Sequence, residues 1–273
     1  MFPGVDGFHW SLTHIVFLTL FGLVLCTVLT TISVALWRTR RAFRTHSAEE
    51  LCWEADFEDL PASERVCRHA LTGSAPGRIC PNAFDCRGCQ QHAAFAAKEA
   101  GIGDHGERYG LEYPSTRRYD RGHTWVEENP DGTLTIGLDD LGRRLAGRVD
   151  SIEMPPAGAR IATRGIAWTM KRDGRVMRVR APIDGKVLAT GGPDDGWYLR
   201  IQPDQQPADL RHLLSGVEVS AWLRAELDRL QLLLSPAATG PSLADGGTLS
   251  ADLPDAQPKA DWSRVYPAMF LEP

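Results

Sequence analysis

Four of the six cysteines fall in one stretch, CRHALTGSAPGRICPNAFDCRGC, spaced C-x12-C-x5-C-x2-C over Cys67, Cys80, Cys86 and Cys89. Cys86 and Cys89 form a Cys-x-x-C pair, which lets two thiolates converge on one ion from a tight turn. Gly88 inside the pair eases that turn. Four thiolates suit tetrahedral Zn²⁺ and also suit an iron–sulfur cluster. The run lacks the Cys-x2-Cys-x2-Cys pattern of ferredoxins, and zinc would fold a segment of about 50 residues that is small for a core of its own. Zinc is therefore favoured over iron–sulfur, with four unrelated cysteines as the competing reading. A redox Cys-x-x-C would need a βαβ pattern around it, and none is visible. His69 and His92 are near enough in sequence to replace a thiolate, although such histidines are more often surface or core residues. Cys26 reads as packing in an apolar run, and Cys52 stands alone.

No nucleophile motif, phosphate loop or H-E-x-x-H helix is present, so nothing points to a stand-alone catalyst. The net charge of −5 offers no general attraction to nucleic acid. The hydrophobic content of 43% and charged content of 24% are ordinary for a globular protein, but the apolar residues are unevenly spread.

From Leu12 to Trp37 no residue is charged, and His14 is the one titratable group apart from Cys26. About 20 apolar residues suffice for a helix to cross a bilayer, and Trp10 and Trp37 flank the run as interfacial aromatics do. A secretory signal fits poorly, because no basic residues precede the run and no small-residue cleavage site follows. Residues 1–11 contain no Lys or Arg, whereas Arg38, Arg40, Arg41 and Arg44 follow the span. This asymmetry predicts a single-pass inner-membrane protein, N-terminus outside and everything from Arg38 onward cytoplasmic. The arginines can contact lipid headgroups, and the reducing side of the membrane argues against disulfides.

The chain then divides into an external N-terminus (1–11), the span (12–37), a juxtamembrane segment (38–60) helical around Ala48 to Trp53, a four-cysteine module (61–112), a β-rich domain (113–234) and a tail (235–273). In the β-rich domain, short runs at His123–Val126 and Thr133–Leu138 flank a turn ending in ENPDG. Asp139 or Asp140 caps a short helix that Gly147 ends, and Val149–Met154 alternates like a strand. Ile166–Lys171 and Arg175–Arg180 flank Asp173-Gly174, the preferred pair for a two-residue hairpin. Lys186–Thr190 and Gly196–Ile201 read as further strands, and Ala208–Leu214 and Val219–Leu234 as helices. Many short strands closed by helices predict a small barrel or sandwich. The tail is rich in Pro, Ala, Gly and Asp, a composition that predicts disorder. Its end carries Trp262, Tyr266, Met269, Phe270 and Leu271, which suit an amphipathic anchor entering a groove on this barrel or on a partner.

The segment HTWVEENPDGTLTIGLDDLGRRLAGRVDSIEMPPAG resembles the H-protein of the glycine cleavage system. The likeness runs through His123, Trp125 and Val126, then Gly137, Asp140 and Gly147, then Met154 and Pro155. RAPIDGKV (Pro182, Gly185, Val187) and DDGWYLRIQP (Gly196, Trp197, Ile201, Pro203) continue it in order. The resemblance implies a flattened barrel of two small sheets, the lipoyl-type barrel-sandwich hybrid. The expected fold is thus mainly β with helices, preceded by one transmembrane helix and the small cysteine module. It also implies a lysine at a hairpin tip that carries lipoate through an amide bond. Here the matching position falls on Gly174 or Arg175, and neither can be lipoylated. Lys171 in WTMKRDG stands close by and is the candidate; Lys186, Lys98 and Lys259 lie elsewhere.

Three functions compete. One is a non-catalytic binding or scaffold subunit of a membrane-associated protein complex without a working lipoyl arm. The second is a lipoyl carrier using Lys171. The third is an electron-transfer protein with an iron–sulfur cluster on the four cysteines.

Overall fold

The computed structural model describes residues 11–45, 62, 65–100, 109–234 and 249–272. It divides into two units, Met1–Ala48 and Glu49–Pro273. The expected helix around Ala48 to Trp53 lies outside the described residues.

The first unit holds one helix, α1 (Leu12–Thr45). Its segment Leu12–Val34 is long and apolar enough to cross a membrane by length and composition. The polar hydroxyls of Thr27 and Thr30 bond back to the carbonyls of Leu23 and Cys26 at 2.8 and 2.7 Å. That internal satisfaction is what an apolar surrounding demands.

In the second unit, a short helix α2 (Arg68–Leu71), a 3-10 turn at Cys86–Gly88 and helix α3 (His92–Glu99) precede the sheets. A six-stranded antiparallel sheet has the order β1-β2-β3-β9-β8-β5, built from β1 (Arg118–Tyr119), β2 (Thr124–Glu128), β3 (Leu134–Leu138), β5 (Arg160–Ile161), β8 (Gly185–Gly192) and β9 (Trp197–Pro203). A three-stranded sheet, β4-β6-β7, comprises β4 (Ser151–Glu153), β6 (Ile166–Arg172) and β7 (Arg175–Arg180). Alternation in β3 turns Leu134, Ile136 and Leu138 into the core. Trp125 pairs with Gly137 across the β2–β3 ladder, and a Cβ at Gly137 would overlap the indole. Trp168 stacks on Tyr198 at 4.7 Å, joining one sheet to the other through the core.

Helix α4 (Asp140–Ala146) starts where the Asp139 carboxylate accepts from Gly142 N–H at 2.6 Å, and it ends at Gly147. Helix α5 (Val217–Leu234) buries Val219, Trp222, Leu223 and Leu230 on one side. The helix expected at Ala208–Leu214 does not form. Leu214 instead exchanges backbone hydrogen bonds with Tyr119, at 2.7 and 3.0 Å, so its polar groups are used across the chain rather than along it. The two-residue strands β1 and β5 were too short to show a period in the sequence.

Residues 249–272 also depart from expectation. The reading of 235–273 as a disordered tail fails here, because this part forms α6 (Leu253–Ala256) and α7 (Trp262–Phe270) on the barrel. Trp262, Val265, Tyr266, Met269 and Phe270 recur at helical spacing and are all buried. Each such side chain gains roughly 1.5–3 kcal/mol on burial, enough together to outweigh the ordering of a short segment. Helix α7 lies against edge strand β7, whose Arg178 N–H donates to Glu272 at 2.8 Å.

Candidate functional site

The cysteine segment is shaped by local backbone bonds. An antiparallel bridge joins Val66 and Ile79, with Cys67 N–H donating to Arg78 O at 2.9 Å and Cys80 N–H to Arg65 O at 2.8 Å. After Cys80 the chain reverses through Ala83 and Phe84, both in the left-handed region, and Phe84 N–H donates to Cys80 Sγ at 3.3 Å. Asp85 then caps the Cys86–Gly88 turn by accepting from Arg87 N–H at 3.0 Å. Cys89 N–H returns to Cys86 O at 3.2 Å. Cys67, Cys80 and Cys86 are buried, Cys89 is half-buried, and all four are free thiols.

Burial pushes the Cys86 thiol up, the neighbouring Arg68 guanidinium pulls it down, and Cys80 and Cys67 lie near enough to raise it again. Arg68 reaches Cys86 Sγ at 3.7 Å. It is locked by Glu218 and by the carbonyls of Arg211 and Leu213 at 2.8 and 2.9 Å. A fixed cation beside thiolates offsets the negative charge they would bring to a metal.

His69 and His92 meet each other rather than a cysteine, Nε2 to Nδ1 at 2.9 Å, and His69 Nδ1 also faces Glu99 at 2.9 Å. Among the described residues, three metal-type ligand atoms lying within 4.8 Å of one another come from His69, Glu99 and Glu218, not from a set of cysteines. Arg68 already neutralises Glu218 in that cluster. Cys52 lies outside the described residues.

At the β6–β7 hairpin, Asp173 (φ 49°) and Gly174 (φ 74°) make the tip, with Arg172 paired to Arg175 and Lys171 to Val176 in the ladder. Lys171 therefore stands on the strand below the tip, 43% exposed, with its ammonium on Glu153. Arg172 turns inward and is buried between Asp252 and Asp255 of the C-terminal segment, at 2.8 and 2.5 Å.

His123 is fully buried where β2 begins. Its Nδ1 faces Asp139 at 3.1 Å and its Nε2 faces Glu226 at 3.7 Å. Burial opposes the charge, but the two carboxylates prevail and raise its pKa to about 10.

With this geometry in view, the comparisons are direct. The family model for the glycine cleavage H-protein matches residues 117–226. The glycine cleavage system H protein of Neisseria gonorrhoeae is 30% identical over 116 residues, covering 38% of this chain and 86% of that protein. The chain belongs to the glycine cleavage H-protein family. The Chlorobaculum tepidum relative is 27% identical over 126 residues, covering 41% of this chain and 98% of its own. A crystal structure of the Mycobacterium marinum H protein has 18% identity and a TM-score of 0.35, and covers 41% of this chain and 99% of its own. As an H-protein family member the chain is carrier-like rather than catalytic. The matched region holds β1 to β9 and most of α5; helix α1, the four cysteines and the C-terminal segment lie outside it.

Sequence reasoning picked out His123 as part of a motif but gave no sign of its charge, which needs Glu226 about a hundred positions away. It also missed Arg68 and Glu218, whose pairing spans 150 positions and leaves no local signal.

Proposed function

We propose that this chain is a membrane-anchored H-type barrel that acts as a non-catalytic binding subunit of a membrane-associated protein complex, without a working lipoyl arm. One observation carries the reading: Asp173-Gly174 occupies the hairpin tip, and Lys171 is tied to Glu153 on the strand below. A carrier arm needs a lysine free to swing, and an ion pair on a strand opposes that. Helix α1 supplies the anchor, and Arg38, Arg40, Arg41 and Arg44 favour the cytoplasmic face for everything beyond it. A tethered barrel does not diffuse among soluble enzymes, which favours partners in the same membrane. Cys67, Cys80, Cys86 and Cys89 hold a structural zinc in this reading, with Arg68 balancing its thiolates.

A second reading has its own support. The Lys171 side chain is 43% accessible and lies in the hairpin of an H-protein family member, so a lipoyl amide there would make the chain a carrier. Intact mass spectrometry of protein from its own host membranes separates the two. An unmodified mass, with cellular lipoylation shown to be active, is expected. One lipoyl increment mapped to Lys171 would replace the binding role with a carrier role.

A further inference from the structure

Residues 249–272 lie beyond residue 226, where the family match ends, and the barrel before them already accounts for nearly the whole of the Chlorobaculum tepidum relative. They are an addition to a complete H-type barrel. Helix α7 is nine residues long, holds Pro267 inside, and begins at Asp261 without a side-chain cap. A helix so short does not hold in water on its own. Helix α6 is shorter still, at four residues. The surface beneath therefore supplies their order, through the buried stripe of Trp262, Val265, Tyr266, Met269 and Phe270.

That surface is an edge. In the sheet β4-β6-β7 no strand follows β7, and α7 lies there in contact with both β7 and α5. Edge strands recruit other chains unless something covers them. Carboxylates fix this cover at two ends. At one end Arg172 meets Asp252 at 2.8 Å and Asp255 at 2.5 Å over Gly147, where a Cβ would overlap both Arg172 and Asp252. At the other, Glu272 accepts from Arg178 N–H at 2.8 Å and faces its guanidinium at 3.3 Å. Apart from Asp173, 3.5 Å from Arg172, neither arginine has another carboxylate partner among the described residues. Lifting the segment leaves a groove with an apolar floor and a guanidinium at each end.

We propose that the C-terminal segment is an autoinhibitory strap, held here over a groove on β7 and α5 that docks a partner's amphipathic helix with carboxylates at both ends. The segment itself displays the chemistry of that partner: apolar residues at helical spacing, between acids that reach Arg172 and Arg178. Opening requires only that the strap leave, because β1 to β9 and most of α5 lie within the family match, without it. The tether, SPAATGPSLADGGT at residues 235–248, keeps the strap beside its seat, so a partner competes against an intramolecular helix. The use of the groove by a partner rests on the binding-subunit reading; the opening of the strap does not.

The test uses the full chain in detergent, with a fluorescent synthetic peptide of residues 249–273 as the probe. Wild type should resist the peptide at micromolar concentration, because its own strap sits at a roughly millimolar effective concentration. Asp252→Arg combined with Asp255→Arg sets like charges against Arg172 and should open the strap. The peptide should then bind saturably, about tenfold or more tightly than to wild type, and a peptide carrying the same two substitutions should not bind. Hydrogen exchange gives a reading that needs no variant. In wild type the amides of α7 should exchange about tenfold or more faster than those of β6, since the strap opens while the barrel stays folded. Equal protection of α7 and β6 in wild type, or joint loss of protection in α7 and β6 in the variant, would make the segment a fixed part of the core and overturn the proposal. So would an opened variant that keeps β6 protected yet fails to bind the peptide. A lipoyl increment on Lys171 would defeat the binding-subunit reading and would leave each of these measurements unchanged.

Discussion

His123 holds its proton because two carboxylates meet its ring from different helices, Asp139 at the start of α4 and Glu226 in α5. Its value moves from 6.5 to about 10 on folding, so the folded state binds the proton more tightly than the unfolded chain. The stabilisation is therefore complete below about 6.5 and is lost as pH rises through about 10. A His123→Gln variant lacks this titration. Urea midpoints should show the wild type ahead by an amount on the order of a few kcal/mol near neutral pH, with the gap closing as pH approaches the folded value. A gap that stays constant with pH would mean that His123 is buried neutral. At this scale the sequence was only half legible. It presented His123 and Asp139 within one motif, but a charge held from two sides depends on α5 bringing Glu226 and Trp222 against the His123 ring. The same holds for Arg68, whose neighbours Cys86 and Glu218 meet only after folding.

At the scale of elements, turn chemistry was readable and tail composition misled. Asp173-Gly174 does make the hairpin tip, Asp139 does cap α4, and Gly147 does end it, because each of these is decided within a few residues. Disorder was expected for residues 235–273 because Pro, Ala, Gly and Asp dominate their average, whereas the terminal aromatics expected as an amphipathic anchor do pack on the barrel. The helical spacing of Trp262, Val265, Tyr266, Met269 and Phe270 sits in only the last part. That segment is fastened electrostatically as well. Asp252 binds the buried Arg172, caps α6 by accepting from Asp255 N–H at 3.0 Å, and accepts from Arg148 N–H at 2.9 Å. Asp252→Asn should lower stability by roughly 1–3 kcal/mol in urea denaturation, since it leaves a buried guanidinium short of charge and weakens a cap. Hydrogen exchange should rise in α6 and α7 first if the segment detaches as a unit. Uniform protection across the barrel and α7 in the variant would show that α7 holds by its apolar face alone.

For the molecule as a whole, the cysteine segment is the part whose fold most needs an explanation beyond packing. It contributes few large side chains to the common core; its buried groups among the described residues are Cys67, Cys80, Cys86, Arg68, the His69–His92 pair, Glu99 and Leu111. The zinc site proposed above draws on buried thiols without disulfides, an N–H···S bond and a tight Cys-x-x-C turn, while the metal-type ligand atoms that lie together among the described residues are those of His69, Glu99 and Glu218. Arg68 ties that segment to α5 through Glu218, so removing the proposed zinc should loosen the contact between module and barrel as well as the cysteine turn. Elemental analysis of the full chain in detergent is expected to give one zinc per chain and no visible absorbance. Cys86→Ser should remove the zinc and lower the melting temperature, while Cys26→Ser in the apolar helix should do neither. Iron with visible bands would assign the cysteines to electron transfer. A metal-free chain of unchanged stability would leave them as packing residues.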